Sequence, residues 1–329
     1  MQKNDFGAID LFRIIAASLV ITIHAREIPF LGESGNLLLS GVIAKIAVPF
    51  FFAVTGFFTD FASTANVKKL FEKTVKMYIA ATAVYLPYGS YSASIKEVVL
   101  DGSFYHLWYF PALALGAVIV FFLKKLPTAA ALTITSALYA FGLCGDSYIL
   151  LAQKAEPMSL ALSLLSKVFI YTRNGIFFAP LFLLIGNMIG NKVRNDDERF
   201  RRPKNTLVLA ICFMLSLILL SIERFSLRGI TFAPWDNMFI LLIPCTVFLM
   251  FMLSSMKVKP KPVLRRVSMW IYIIHPVFID LIMRVKNSLN ETGTLGSDAQ
   301  HAIFTALIAI VTAAVMEILL TIKRLPLVN

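Results

Sequence analysis

The sequence predicts an all-α integral membrane protein, a bundle of about ten transmembrane helices with a cytoplasmic N-terminus and a cytoplasmic C-terminus. The first observation is composition, because 58% of the 329 residues are hydrophobic and only 15% are charged. This balance is atypical of a water-soluble domain. The second observation is that apolar stretches of spanning length recur along the whole chain. The third is the uneven distribution of basic residues between alternate loops.

Ten apolar stretches approach or exceed the roughly 20 residues that cross a bilayer as a helix. In chain order they cover residues 8–25, 40–61, 74–92, 107–123, 128–144, 168–190, 205–222, 237–254, 267–286 and 301–322. The loops between them are too short to fold independently. We therefore expect a single transmembrane domain over residues 1–329, with no soluble domain, in the cell membrane as a multi-pass protein.

The basic residues of the loops predict the orientation. With the N-terminus inside, twenty of the 31 Lys and Arg residues are cytoplasmic: Lys3, Lys68, Lys69, Lys73, Lys76, Lys124, Lys125, Lys192, Arg194, Arg199, Arg201, Arg202, Lys204, Lys257, Lys259, Lys261, Arg265, Arg266, Lys323 and Arg324. The outer side has seven: Arg26, Lys96, Lys154, Lys167, Arg224, Arg228 and Lys286. An excess of Lys and Arg marks the cytoplasmic side. The net charge of +12 thus reflects orientation in the lipid bilayer, and we expect no nucleic-acid partner.

Arg13 and His24 on the first predicted helix carry the sharpest signal of function. Eleven residues at about 100° each bring the two side chains to one face of a helix, roughly 16 Å apart along its axis. Charged groups in hydrocarbon are costly unless they face a polar interior, so this face should line a cavity. In the alternative interpretation Arg13 reaches the inner headgroups, paired with Asp10, while His24 lies at the outer interface.

Several segments together resemble one family of ten-helix membrane proteins, the acyltransferase-3 superfamily. They are Arg13-x10-His24, Val48-Pro-Phe-Phe-Phe-Ala-Val-Thr-Gly56, His106-Leu-Trp-Tyr-Phe-Pro-Ala-Leu113, Arg173-Asn-Gly-Ile-Phe-Phe178 with Leu183-Leu-Ile-Gly186, and Tyr272-Ile-Ile-His-Pro276. The arginine and histidine of the first helix are implicated in acyl transfer in that superfamily. The resemblance therefore implies catalytic roles for His24 and Arg13.

Within the superfamily, Ile9-Asp-Leu-Phe-Arg13, the His106 segment and Arg173-Asn-Gly-Ile-Phe-Phe-Ala-Pro180 are similar to a narrower group. This group is the membrane domain of the membrane-bound serine racemases of vancomycin-resistance operons. Those proteins join the membrane domain to a cytoplasmic racemase domain that uses pyridoxal phosphate, and the membrane part is implicated in uptake of L-serine. We expect the racemase domain to be absent from this chain and to be a partner in the cytoplasm.

One position departs from the acyltransferase pattern. Many members have an Arg-x-x-Arg pair at the cytoplasmic start of the third helix, suited to the phosphates of acyl-CoA. This chain has Lys73 and Lys76 there, and lysine lacks the planar fork of arginine. The two lysines are candidate phosphate-binding residues or an ordinary positive-inside loop. No cofactor is expected, except acyl-CoA if the protein is an acyltransferase.

Further polar residues fall near the predicted outer ends of the helices. They include Arg173, predicted about one turn into the sixth helix, with Asn174, His106, Trp108 and Tyr109, and these are candidate substrate-binding residues. Asp10, near the inner end of the first helix, is a further candidate. Arginine suits a carboxylate, and an acid or aromatic face suits an ammonium group, so a zwitterion fits. Alternatively Trp108 and Tyr109 are interfacial anchors, and Asp280 with Arg284 is a structural pair.

Other residues have simpler interpretations. His275 precedes Pro276, and the proline frees a helical carbonyl that the histidine then satisfies. Glu317 has no partner that the sequence identifies. The cysteines Cys144, Cys212 and Cys245 lack the spacing of a zinc site, so no metal is expected.

Three functions follow from these features. The first is uptake of L-serine, or a similar small amino acid, past Arg13, His24 and Arg173. The second is acyl transfer from acyl-CoA to a hydroxyl, with His24 as general base or acyl carrier. The third is anchoring of a cytoplasmic racemase, which requires neither His24 nor Arg13.

Overall fold

The structure is a computed structural model that describes residues 6–24, 31–89, 94–195, 203–228 and 236–290, with positions 306, 309, 310, 312–314 and 317. Within these residues every regular element of secondary structure longer than an isolated bridge is a helix. The single β-contact there is an isolated parallel bridge between Phe6 and Val258. The predicted all-α class is confirmed for the described part of the chain.

The helices vary widely in length. In chain order they are α1 Gly7–His24, α2 Gly32–Leu38, α3 Ala47–Phe58, α4 Thr64–Tyr85, α5 Ile95–Leu100, α6 Tyr109–Leu123, α7 Thr128–Cys144, α8 Ile149–Ala152, α9 Glu156–Ser166, α10 Ala179–Asn195, α11 Pro203–Leu227, α12 Leu242–Ser255 and α13 Pro262–Asn290. A π-helical turn Leu39–Ile43 and a 3-10 turn Ala44–Ile46 join α2 to α3, and a 3-10 turn Leu86–Tyr88 follows α4.

Three helical segments are long and apolar enough to cross a membrane: Gly7–His24, Gly32–Phe58 and Lys204–Leu227. Three shorter apolar helices, α6, α7 and α12, accompany them. These segments agree with six of the predicted spans, and α7 begins and ends at the predicted residues. Most of the predicted tenth stretch, 301–322, lies outside the described residues.

Two predicted spans are wrong in position. The stretch 74–92 is replaced by α4, which begins earlier because Ser63 caps it and accepts a hydrogen bond from Asn66 N at 3.3 Å. The stretch 168–190 is replaced by α10, which begins only at Ala179. Residues 170–178 form turns instead, so apolarity alone misplaced both helix starts.

The chain divides into two compact units, residues 1–48 with 253–329 and residues 49–252. In the first unit α1 packs along α13. Its buried side carries Ala16, Ala17, Val20 and Ile21, whereas Leu11 is 42% exposed on the other side. A Cβ on Gly7 would lie 1.9 Å from Lys259 O, so only glycine permits this approach of the two backbones.

In the second unit, α3 and α10 also meet backbone to backbone. A Cβ on Gly56 would lie 2.0 Å from Leu183 O, and one on Gly186 would lie 1.9 Å from Ala53 O. Small residues at helix crossings allow this close packing in membrane proteins. These two glycines belong to two of the segments that resemble the acyltransferase-3 pattern, which gives that pattern a structural reason.

Side chains of α10 satisfy the carbonyl groups at the end of α3. Asn187 Nδ2 donates to Thr59 O at 2.7 Å, and one terminal nitrogen of Arg194 donates to Phe57 O at 2.8 Å. The last carbonyls of a helix have no partner within the helix. The two contacts therefore fix the end of α3 against α10.

The glycine crossing yields a prediction about stability. Gly186→Ala places a methyl group against the Ala53 carbonyl and forces the helices apart, at a cost of about 1–3 kcal/mol. Thermal unfolding of the purified protein in detergent should show a clear fall in midpoint. The control is Ala80→Val, which adds more volume on an exposed position of α4. Equal midpoints for Gly186→Ala and the wild type would contradict the close crossing.

Candidate functional site

Arg13 and His24 lie on the side of α1 that packs against α13. At about 100° per residue, their directions fall among those of Ala16, Ala17 and Val20, which are all buried. The Arg13 side chain is 20% exposed, and His24 is partly exposed. Both predicted catalytic residues therefore face the interior of their unit.

Asp10 fixes the beginning of α13 against α1. Its fully buried carboxylate accepts hydrogen bonds from Lys261 N at 2.8 Å, from Arg265 Nε at 2.7 Å and from a terminal nitrogen of Arg265 at 3.1 Å. Arg13 Nε lies 3.9 Å from the same carboxylate. These contacts give Asp10 a structural task, and its role in substrate binding stays a prediction.

His275 satisfies a carbonyl that Pro276 leaves without its helical donor. Proline has no N–H, so the Tyr272 carbonyl loses its usual bond, and His275 Nδ1 lies 2.8 Å from Tyr272 O. The same nitrogen lies 3.2 Å from Ile271 O. This confirms the interpretation of the His-Pro sequence.

The structure also brings His275 against His24, which the sequence did not predict. The two imidazole rings stack with centroids 5.3 Å apart and planes 29° apart. One ring belongs to α1 and the other to α13, at opposite ends of the sequence. A sequence pattern within one helix cannot indicate a contact between residues so far apart along the chain.

Two other pairs on α13 are resolved. Arg266 pairs with the buried Glu317 at 2.5 Å, which supplies the partner that the sequence could not identify. Arg284 Nε bonds Asp280 Oδ2 at 2.7 Å, with their side chains 73% and 41% exposed. The exposed position favours the structural interpretation of the Asp280 and Arg284 pair.

In the second unit, Arg173 lies in the turns before α10 rather than one turn into a helix. The prediction of its place was wrong because Asn174 keeps the chain out of the helix at this point. Asn174 Oδ1 accepts from Ile176 N at 2.9 Å and from Phe177 N at 3.1 Å. Side chains that bond nearby backbone groups in this way favour turns and helix starts.

Two aromatic rings hold the Arg173 guanidinium. Its carbon lies 4.3 Å from the centroid of Tyr171 and 5.3 Å from that of Trp108, the residue that precedes α6. Cation–π contacts of this kind stabilise a cation within about 6 Å of a ring. The start of α6 and the turns before α10 thus meet at this arginine.

His106 and Tyr109 pack among aromatic side chains. His106 is 1% exposed, with the rings of Tyr85 at 4.9 Å and Phe104 at 5.7 Å. The Tyr109 ring lies 4.7 Å from that of Phe52. These neighbours place both candidates in the aromatic packing beside α6, and their contact with substrate stays a prediction.

Sequence reasoning missed two carboxylates that hold the segment before α12. Asp146 Oδ1 accepts from Asn237 N at 2.7 Å and Met238 N at 2.8 Å. Glu223 accepts from Tyr148 Oη at 2.6 Å, from Ile240 N at 2.7 Å and from Leu241 N at 2.9 Å. The signal available was the position of acidic residues at the ends of apolar stretches.

The charge of Arg173 acts on one of these carboxylates. Burial raises the pKa of the Asp146 carboxyl, while its backbone hydrogen bonds and the Arg173 charge act in the opposite direction. Burial likewise raises the pKa of Asp101, whose Oδ1 accepts from Ile170 N at 3.3 Å. Two carboxylates thus interact with the segment that carries Arg173, Asp146 through charge and Asp101 through a backbone hydrogen bond.

Lys73 and Lys76 lie on exposed positions within α4. The prediction that they lie at the start of a helix was wrong, because α4 begins at Thr64. On the preceding turn Lys68 and Glu72 form an exposed pair at 3.9 Å. The binding of phosphate by Lys73 and Lys76 stays a prediction.

Comparison with known proteins identifies a family whose model covers nearly the whole chain. The family model described as an acyltransferase domain matches residues 6–321. The chain belongs to the acyltransferase-3 family. This confirms the resemblance that the motifs around Arg13, Gly56, His106, Arg173 and His275 indicated.

The curated relatives of this acyltransferase-3 chain are named as racemases. An amino-acid racemase of Enterococcus faecalis is 34% identical over 284 residues, 82% of this chain and 39% of the relative. A serine/alanine racemase of Enterococcus gallinarum is 33% identical over 295 residues, 82% and 40%. A second amino-acid racemase of Enterococcus faecalis is 27% identical over 351 residues, 98% and 47%. The chain spans less than half the length of each. No solved structure matches significantly.

The Asp10 contacts yield a prediction for this acyltransferase-3 protein. Asp10→Ala leaves Lys261 N and the Arg265 guanidinium without their acceptor, which should lower the free energy of unfolding by about 1–3 kcal/mol. The matched control is Asp280→Ala, which breaks an exposed pair and should cost less than about 1 kcal/mol. Denaturant unfolding in detergent measures both. A larger loss for Asp280→Ala would contradict the structural role of Asp10.

Proposed function

We propose that this chain is a multi-pass domain of the cell membrane that takes up L-serine, or a similar small amino acid, for a racemase in the cytoplasm. In this proposal it has ten spanning helices and both termini inside, as the basic residues of the loops favour. Its physiological setting is vancomycin resistance. The names of two relatives, an amino-acid racemase and a serine/alanine racemase, support the association with racemisation of serine.

The observation that carries the proposal is the contact of the Arg173 guanidinium with the rings of Trp108 and Tyr171, whose centroids lie 5.3 Å and 4.3 Å from its carbon. A planar guanidinium binds a carboxylate through two parallel hydrogen bonds. Aromatic rings in contact with a guanidinium stabilise its charge and restrict its orientation. The arrangement suits recognition of the carboxylate that every free amino acid carries.

The surroundings of Arg173 extend this argument to a zwitterion. Asp146 interacts with the charge of Arg173, and Asp101 bonds the backbone of Ile170 three residues before it. An ammonium group is attracted to carboxylates at short range. An arginine beside acidic groups distinguishes an amino acid from a simple anion. L-Serine adds a hydroxyl that hydrogen-bonds readily to neighbouring polar groups.

Uptake of labelled L-serine into proteoliposomes tests the proposal. Wild-type protein should accumulate serine above empty liposomes, and Arg173→Lys should reduce the initial rate about 10-fold or more because lysine lacks the bidentate fork. The control is Arg284→Lys on the exposed pair of α13, which should retain the wild-type rate. No uptake by wild-type protein in competent liposomes would refute serine transport.

Acyl transfer is the second candidate, favoured by the description of the matching family as an acyltransferase domain. In this reaction His24 removes the proton of an acceptor hydroxyl, the oxygen forms a bond to the thioester carbonyl, and the carbon–sulfur bond breaks to release coenzyme A. Arg13 assists by its charge on the same side of α1. Lys73 and Lys76 would contact the phosphates of acyl-CoA.

Binding of acyl-CoA separates this candidate from transport. Calorimetric titration of the purified protein with acetyl-CoA should show binding if the second candidate holds, and the Lys73→Ala, Lys76→Ala double variant should weaken it about 10-fold or more. His24→Ala should abolish release of coenzyme A while binding persists. Absence of binding at millimolar acetyl-CoA would exclude the acyl-transfer reaction for this chain.

A further inference from the structure

We propose that His24 and His275 form a proton-binding pair in which His24 takes up the proton and the ring face of His275 stabilises the resulting imidazolium. The inference deepens the proposed function, because it names the proton as the ion coupled to amino-acid uptake. The coupling of the histidine pair to transport rests on the proposed function, whereas the existence of the pair does not depend on it.

The hydrogen bonds of His275 fix its ring. Its Nδ1 lies 2.8 Å from one carbonyl oxygen and 3.2 Å from another. Because carbonyl oxygens only accept, Nδ1 must carry a hydrogen in the neutral ring. The tautomer and plane of His275 are therefore set by Tyr272 and Ile271, and the ring presents a face to His24 at 5.3 Å.

Burial assigns the proton to His24. His275 is fully buried, so a positive charge on its ring loses all hydration, whereas His24 is partly exposed. Desolvation of a charged group disfavours the charged form. A second proton on the pair would also meet repulsion at 5.3 Å, which lowers its affinity on the order of 100-fold at an effective dielectric constant of about 20. The pair therefore holds one proton.

The described carboxylates of α1 and α13 pair with arginines. Charged and titratable side chains on the described elements that pack around it are Asp10, Arg13, Lys45, Arg265, Arg266, Tyr272, Asp280 and Arg284. Asp10 bonds Arg265, and Asp280 bonds Arg284. The ring of Tyr272 lies 6.1 Å from that of His275. The His275 ring is in contact with His24 and can stabilise its charged form directly.

Histidine NMR of the full chain in detergent tests the pair. The protein has four histidines, so ¹⁵N-histidine labelling gives a small set of signals that single variants assign. His275→Asn keeps an N–H donor for the Tyr272 carbonyl but removes the ring, while His275→Phe keeps a ring but removes the donor. The pH midpoint of the His24 signal is read in each variant.

The two substitutions separate stabilisation of His24 from simple capping of a carbonyl. The proposal expects His275→Asn to lower the proton affinity of His24 about 3- to 30-fold, and His275→Phe to leave it near wild type. The opposite order, or an unchanged midpoint in both variants, would overturn it. The NMR signal of His106, which belongs to the second unit, shows whether each variant is folded. Should His275→Phe fail to fold, adding Pro276→Ala restores a backbone donor for Tyr272.

A pH gradient tests the coupling. In proteoliposomes with a more acidic exterior, serine uptake by wild-type protein should accelerate about 10-fold over uptake without a gradient, and uptake by His24→Asn should be the same with and without the gradient. Serine uptake that ignores the gradient overturns proton coupling. Absence of any serine uptake instead refutes the proposed function, and the NMR titration still decides whether the histidines form a proton-binding pair.

Discussion

A polar group in hydrocarbon that lacks a hydrogen-bond partner costs several kcal/mol, and the specific contacts of this protein satisfy such groups. Pro276 removes one helical donor, and His275 supplies another to the Tyr272 carbonyl. The end of α3 leaves carbonyls without partners, and Asn187 donates to one of them. The buried carboxylate of Asp10 accepts three hydrogen bonds. Each of these contacts fixes one helix against another or locks a ring in place.

Close approach of backbones is the second requirement, and glycine provides it. Gly7 in the first unit, and Gly56 and Gly186 in the second, each lie where a Cβ would overlap a carbonyl oxygen. Helices gain no hydrophobic driving force from one another in lipid, so van der Waals contact between closely packed backbones has to replace it. The segments that mark the acyltransferase-3 family therefore include Gly56 and Gly186 as well as the residues that carry charge.

Arg173, a candidate site residue, is placed by turns, whereas Arg13 and His24 are placed by helix α1. Arg173 lies in the turns before α10, where Asn174 binds the next backbone N–H groups and two aromatic rings hold the guanidinium. Loops and turns that a rigid scaffold holds in place often carry binding residues. His24, in contrast, is the last residue of α1, and its ring stacks on that of His275.

The sequence by itself determined the helical class, the membrane setting, the family and the common side of Arg13 and His24. These features depend on local composition and on the helical repeat, and α7 shows how far they reach, since its bounds follow from its apolar run alone. Only the tertiary structure decided where α4 and α10 begin. It also decided that Asp10 bonds Arg265, that Glu317 bonds Arg266 and that His24 stacks on His275. These partners lie far apart along the chain, and no periodicity within one segment specifies which distant side chain will satisfy a buried charge or face a ring.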